Sequence, residues 1–229
     1  MIEHVYVRAA RTPGVDAVVV ATDDERIAAA VGRFGGAVRM TGSAHETGTD
    51  RIAEAVRDLA CDIVVNVQGD LPLVEPAMIA EAIEPLLRDA TVPMSTLRCA
   101  IVDDAEYASP HVVKVVVDSR GDALYFSRAQ IPYFRIGLPA AFAGAAGSRE
   151  GGHRVYKHIG LYAYRREFLL TFAGLPRTPL EQIESLEQLR ALEHGYRIRT
   201  AETRHESIEV DTPEDLERVR RGLAVAARA

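Results

Sequence analysis

An apolar run, VVNVQGDLPLVEP over residues 64–76, halts at Gln68, Gly69 and Asp70 before its hydrophobic course resumes. A carboxylate at the end of a buried strand has two readings. Gly and Asp are ordinary turn residues that terminate strands, but the carboxyl end of a strand is also where open α/β sheets bind ligands. In the second reading Asp70 is a hard oxygen ligand for a divalent cation, and Gln68 offers a polar ligand both a donor and an acceptor. A second carboxylate, Asp211, stands in VDTPED, where Thr212 is placed to cap a helix and Pro213 to take its first position. His158 and Tyr162, in HIGLY, lie four residues apart and on a strand project to one face. Such a pair, taken alone, is more often a core or rim pair with a satisfied polar tip. Arg51 sits in TGTDR, which by itself reads equally well as a loop-to-helix cap.

Composition limits what these residues can serve. At 229 residues and 48% hydrophobic content the chain buries a core as one large domain, or as a domain with a small appendage. Twenty-seven basic against thirty-three acidic residues leave a formal charge of −6, with no basic footprint for nucleic acid or an anionic membrane. A phosphate-bearing substrate therefore requires local cations or magnesium. Cys61 and Cys99 lack Cys-x-x-Cys or Cys/His ligand spacing and fit buried thiols in a reducing cytoplasm. The opening MIEHVYVRAARTPG is too charged for a signal peptide, and no apolar stretch nears the roughly 20 residues that span a bilayer.

The elements that must position these groups alternate between apolar strands and amphipathic helices, the pattern of βαβ units. Helices are expected over IEHVYVRAA, DDERIAAAVGRFG, GTDRIAEAVRDLA and EPAMIAEAIEPLLRD, and strands over DAVVVAT, DIVVNVQ and VPMSTLRC. From about residue 111 the style changes. VVKVVVDSRGDALYFSR reads as a hairpin turning at Ser119–Asp122, an insertion or a smaller second layer. Residues 137–152 are Gly/Ala-rich and read as a surface loop. A strand at KHIGLYAYR, helices over about 166–173 and 179–194, a strand at RIRTAET and a final helix after VDTPEDL complete the chain. The expected class is α/β, doubly wound, with a mostly parallel sheet and a small β-rich insertion. No G-x-G-x-x-G follows a strand, which disfavours an NAD-binding domain.

The blocks VVNVQGDLPL, VVKVVVDSRGDALYFSRAQIPY, KHIGLYAYRREFL, PLEQIESLEQLRALEHGYRI and VDTPEDLERVR resemble those of the 3-deoxy-manno-octulosonate (Kdo) cytidylyltransferase family, the bacterial CMP-Kdo synthetases. The resemblance runs from about Ile2 to the end. It implies a nucleotide-diphospho-sugar transferase-like fold and attack of the Kdo anomeric hydroxyl on the α-phosphate of CTP, releasing pyrophosphate and giving the activated sugar for lipopolysaccharide assembly. Asp70 and Asp211 resemble the catalytic carboxylates that hold magnesium. Arg128 resembles the arginine on the sugar carboxylate, a role suited to a planar, bidentate guanidinium. His158, Tyr162, Glu187 and Gln188 match sugar-contacting positions. Adjacent helix residues diverge by about 100°, which makes Gln188 the more peripheral of its pair. Arg51 and Gln68 match the blocks around cytidine, while Lys114 lies in a matching block without an assigned role. A single domain over 1–229 is expected, with a homodimer formed through an insertion at about 111–165.

The chain departs from the family in two places. Leu71 stands where the family has Glu, removing a carboxylate beside the metal position. The family also begins with an apolar strand and an Arg/Ser/Lys loop that cradles the triphosphate, and the sequence as given starts after both. The expectation is that Met1 is internal to a longer frame and that the chain as given is inactive; Arg8 and Arg11 are the replacement phosphate candidates. Two other readings share these residues: another acidic-sugar cytidylyltransferase, and a non-catalytic sugar-binding or dimer-partner remnant.

Overall fold

The computed structural model describes residues 1–135, 154–205, 210 and 212–226. The first helix, α1 (Ile2–Ala10), turns Val5 and Ala9 into the core. A βαβ unit follows: β1 (Val19–Thr22), α2 (Glu25–Arg33) and β2 (Ala37–Met40), the two strands pairing in parallel as a separate sheet. Asp24 caps α2, its carboxylate accepting from Arg26 N–H at 2.7 Å. Then come α3 (Gly48–Ala55), β3 (Ile63–Asn66), α4 (Pro76–Arg88), β4 (Met94–Ala100) and a short α5 (Asp104–Ala108). The predicted hairpin is present as β5 (Lys114–Val117) and β6 (Ala123–Ser127). It adds to the edge of the main sheet through β7 (Tyr156–Arg165) and does not form a second layer. The chain continues with α6 (Arg166–Ala173), α7 (Pro179–Glu184), α8 (Gln188–Glu193), β8 (Ile198–Glu202) and α9 (Pro213–Ala226).

The six-stranded sheet is ordered β6-β5-β7-β4-β8, with β3 also on β7. Strands β3, β4, β5 and β8 run one way, and β6 and β7 run the other. The α/β expectation therefore holds in strand direction, with β7 inserted antiparallel. Helices cover both faces, as double winding requires. On one face α1 and α4 bury Val5, Met78, Ile79 and Leu86 against Leu97, Leu161 and Ala163. On the other, α3, α6 and α8 bury Ala53, Phe168, Phe172 and Leu189 against Val64, Met94 and Tyr164. Alternate residues of each strand serve the two cores, so β4 is buried from Met94 to Leu97. Among the described residues β1 pairs only with β2, and β3 only with β7.

Three local expectations change. Residues 37–40 form a strand and 104–108 a helix too short for a clear periodic signal. The helix expected over 179–194 breaks at Ser185, which adopts φ 52°, ψ 50°. Left-handed backbone costs a non-glycine residue roughly 1 kcal/mol or more. It also turns the chain, so that α7 and α8 present different side chains to the sheet. The loop at 137–152 and Asp211 lie outside the described residues.

Candidate active site

The carboxyl ends of β1, β2 and β3 converge on the start of α3. Thr47 caps α3, accepting from Asp50 N–H at 3.1 Å. Arg51, one turn on, donates through Nη1 to Thr41 Oγ1 at 2.7 Å and the Gly42 carbonyl at 3.3 Å. The same nitrogen is 3.2 Å from Asp23 Oδ1, so Arg51 ties together the segments that leave β1 and β2. Gln68 lies across from it: a Cβ at Gly48 would stand 3.9 Å from Gln68 Oε1. The Gln68 amide donates to Asn66 Oδ1 at 3.4 Å. Arg51 and Gln68 thus both lie at the start of α3.

Asp70 occupies the turn after β3, as its turn reading requires. Its main-chain carbonyl accepts from Val210 N–H at 3.0 Å, which sets Val210 against that turn. Thr212 and Asp215 cap α9 reciprocally: Thr212 N–H donates to Asp215 Oδ2 at 3.1 Å, and Asp215 N–H to Thr212 Oγ1 at 3.2 Å. Among the described residues no group of three or more His, Cys, Asp or Glu side chains is arranged to hold a metal. One or two carboxylates with substrate phosphates satisfy magnesium, however, and Asp70 supplies a hard oxygen of that kind. Leu71 is 1% exposed and packs with Val5, Val74 and Met78, so position 71 serves the core. Arg8 is engaged by Glu75 at 3.0 Å.

The sugar-type residues gather on the α3/α6/α8 face of the sheet. Phe126 of β6 and His158, Tyr162 and Tyr164 of β7 form an aromatic row, with ring centroids 5.0, 5.4 and 6.0 Å apart in turn. Residues four apart on a regular strand lie about 13 Å apart, yet His158 and Tyr162 touch. The cause is a bulge. Thr96 pairs with Tyr162 and the next residue, Leu97, with Ile159, leaving Gly160 and Leu161 out of register. The Thr96 hydroxyl caps this bulge at 2.9 Å from Leu161 O and 3.1 Å from Ile159 O, and lies 2.9 Å from His158 Nε2. Burial among these rings pushes the His158 pKa down to about 3 and leaves the imidazole neutral at physiological pH.

At the start of α8, Thr49 donates to Glu187 Oε2 at 2.7 Å. Desolvation raises the Glu187 carboxyl, with the Thr49 bond acting against it. Burial, and the Glu187 carboxylate nearby, push the Tyr164 phenol up. Gln188 is 3% exposed and so is the deeper of its pair, contrary to the helical-wheel expectation; the chain turn at Ser185 reorients both side chains. Gln188 Nε2 and Glu187 Oε1 are both buried without a hydrogen-bond partner among the described residues. Behind them the buried pair of Arg190 and Glu181, 2.6 and 2.9 Å apart along two bonds, holds α8 against α7.

Arg128 follows β6 and is fixed at every polar atom of its main chain. Its N–H donates to Glu184 Oε2 at 2.9 Å, and its carbonyl accepts from Lys114 Nζ at 2.7 Å. Its Nε donates to the Glu184 carbonyl at 2.8 Å and Nη1 to the Pro110 carbonyl at 3.2 Å. Burial alone would raise the Glu184 carboxyl, but bonds from Arg128 N–H, Ser127 and Tyr125 outweigh it and hold the carboxyl low. Lys114, 0% exposed, also donates to Ser109 O at 2.8 Å and Val112 O at 2.7 Å. Residue spacing alone finds neither Lys114 nor Glu184 as a support for Arg128, nor Thr96 or Thr49. A mid-strand Thr carries no signal, and Glu184 and Thr49 were legible only as members of the matching blocks.

Comparison with known proteins places this geometry. A family model described as cytidylyltransferase matches residues 1–201. The 3-deoxy-manno-octulosonate cytidylyltransferase of Geobacter metallireducens is 56% identical over 223 residues, covering 96% of this chain and 85% of the relative. That of Geotalea uraniireducens is 57% identical over 219 residues, covering 96% and 86%. The solved structure of CMP:2-keto-3-deoxy-manno-octonic acid synthetase complexed with CTP aligns with a TM-score of 0.88 at 44% identity, over 98% of this chain and 88% of that one. A 4-diphosphocytidyl-2C-methyl-D-erythritol synthase from Anaerococcus prevotii, with a TM-score of 0.58 at 12% identity over 97% of this chain and 88% of that one, shares the fold alone. The sheet and these likenesses agree, and the chain belongs to the cytidylyltransferase family.

Proposed function

We propose that this chain joins CTP to Kdo, forming CMP-Kdo and pyrophosphate. The observation that carries the reading is a pair of buried polar atoms without a hydrogen-bond partner among the described residues, Glu187 Oε1, an acceptor with only Arg190 Nη2 at 3.8 Å, and Gln188 Nε2, a donor. Burying such groups without partners is costly, and a polyhydroxylated ligand satisfies both at once. Arg128 lies at the same face to meet the sugar's carboxylate, and the relative solved with CTP aligns over 98% of this chain.

In this reading Arg51 and Gln68 orient the nucleotide, and the sugar residues hold the anomeric hydroxyl in line with the α-phosphorus. The sugar oxygen forms the new P–O bond as the bond to the β-phosphate oxygen breaks; the hydroxyl proton leaves to solvent and pyrophosphate departs. Such transfers depend on positioning and on neutralising charge at phosphorus. Asp70, with Asp211, would hold magnesium, which supplies that charge when bound. The enzyme works as a cytoplasmic homodimer. Among the described residues no helix is long and apolar enough to cross a membrane.

The test is incubation of the purified chain with CTP, magnesium chloride and Kdo, following pyrophosphate and CMP-Kdo by chromatography, with N-acetylneuraminic acid as the competing acidic sugar. CMP-Kdo as the product supports the reading. Transfer to N-acetylneuraminic acid in preference to Kdo, or Kdo binding with no CTP binding by calorimetry, overturns it.

A further inference from the structure

The His158 ring has two nitrogens, and its neighbours constrain them differently. Nε2 lies 2.9 Å from Thr96 Oγ1. That hydroxyl also lies 2.9 Å from Leu161 O and 3.1 Å from Ile159 O. A hydroxyl has one proton and two lone pairs, a carbonyl oxygen only accepts, and a neutral imidazole has one donor and one acceptor nitrogen. If Thr96 gave its proton to His158, two carbonyls would face an oxygen with nothing to donate, inside a residue that is 0% exposed. If Thr96 gives its proton to one bulge carbonyl, or shares it between the two, its lone pairs are open to Nε2–H. Only this second arrangement lets the hydroxyl both donate and accept. Nδ1 has no protein partner among the described residues.

We propose that Thr96 is a positioning residue that fixes the tautomer of His158, keeping the proton on Nε2 so that Nδ1 offers its lone pair to a sugar hydroxyl. The inference rests on the reading of His158 as a sugar contact and adds its polarity. His158 accepts, and the ligand group it selects is a hydroxyl or another donor. A carbonyl or ether oxygen at that place is rejected. The bulge at Gly160 is what makes the device possible, because it turns the carbonyls of Ile159 and Leu161 onto the threonine. The depressed imidazole pKa agrees with it, since a neutral ring is the only form that retains an acceptor.

The experiment is long-range proton–nitrogen correlation NMR on the full chain carrying 15N-histidine, with His158→Gln to assign the signal, and calorimetry with Kdo on the same samples. The free chain at pH 7 is expected to show a protonated Nε2 and a bare Nδ1 at His158. Thr96→Ser keeps that pattern. Thr96→Val, close in shape but without a hydroxyl, populates the Nδ1–H form and weakens Kdo binding about tenfold, the worth of one neutral hydrogen bond. An Nδ1–H or doubly protonated ring in the wild-type chain overturns the proposal, as does an unchanged tautomer in a folded Thr96→Val. Loss of the sugar contact is read separately: His158→Phe with unaltered Kdo affinity overturns the functional reading of His158, whatever the tautomer.

Discussion

Lys114→Met tests whether a buried ammonium builds the Arg128 side of the site. Of the 27 Lys and Arg residues in the chain only Lys114 and Lys157 are lysines. At position 114 the reason is geometric. Three carbonyls, of Ser109, Val112 and Arg128, surround Nζ at 2.7–2.8 Å, and a compact ammonium with three rotating protons fits where a planar guanidinium does not. Each hydrogen bond from a charged donor contributes about 1.5–3 kcal/mol, a gross loss of roughly 5–9 kcal/mol on truncation. Removing the buried charge returns several kcal/mol of desolvation, since desolvation already depresses the ammonium pKa, with Glu184 opposing. The side chain of Met refills much of the lysine stem's volume. The expected net destabilisation is about 2–4 kcal/mol, a fall in the urea midpoint of roughly 1–2 M at unchanged slope. Lys114→Arg is expected to cost a similar amount, because the larger head displaces the carbonyls. Equilibrium urea unfolding followed by circular dichroism measures both. A midpoint within about 0.3 M of wild type for Lys114→Met, or full stability for Lys114→Arg, refutes the reasoning.

Asp70→Asn is expected to lower the pyrophosphate release rate at least about a hundredfold, with the urea midpoint almost unmoved, because it removes a charge beside the substrate phosphates and no core contact; near-normal turnover removes Asp70 from the site. Arg128→Lys keeps the charge but loses the bonds to Glu184 O and Pro110 O, so the Kdo KM should rise about tenfold or more while the CTP KM stays within about twofold. Equal rises in steady-state kinetics would make Arg128 a structural residue. His158 predicts a pH effect on stability. Its folded pKa of about 3 lies below the ordinary 6.5, so between these values the unfolded chain binds a proton that the folded chain refuses. Its influence is therefore absent above pH 6.5 and grows destabilising on acidification, by roughly 1–2 kcal/mol at pH 5. Urea titrations at pH 7.5 and 5 should show His158→Gln losing less stability than wild type over that interval, and parallel losses contradict the buried-imidazole account.

Much of this protein was determined by its sequence alone. Period-two apolar runs and amphipathic helices located most elements, and VVNVQGD announced a strand ending at a turn, because burial and turn chemistry are local properties of residue type. Thr212 and Pro213 marked the start of α9 for the same reason. Other features were decided only by packing. Ser185 interrupts what periodicity reads as one helix and puts Glu184 on Arg128 while Glu187 and Gln188 meet Thr49 and the buried face. No local preference favours a left-handed serine there, so the surrounding contacts impose it. Sequence spacing likewise placed His158 and Tyr162 on one face but about 13 Å apart. The pairing of β7 with β4 skips Gly160 and Leu161 and brings the rings to 5.4 Å. Lys114, which the sequence left without a role, became the most deeply buried cation among the described residues once the carbonyls of Ser109, Val112 and Arg128 closed around it. Register, bulges and the partners of buried charges depend on residues distant in the chain, and only the folded arrangement of those residues fixes them.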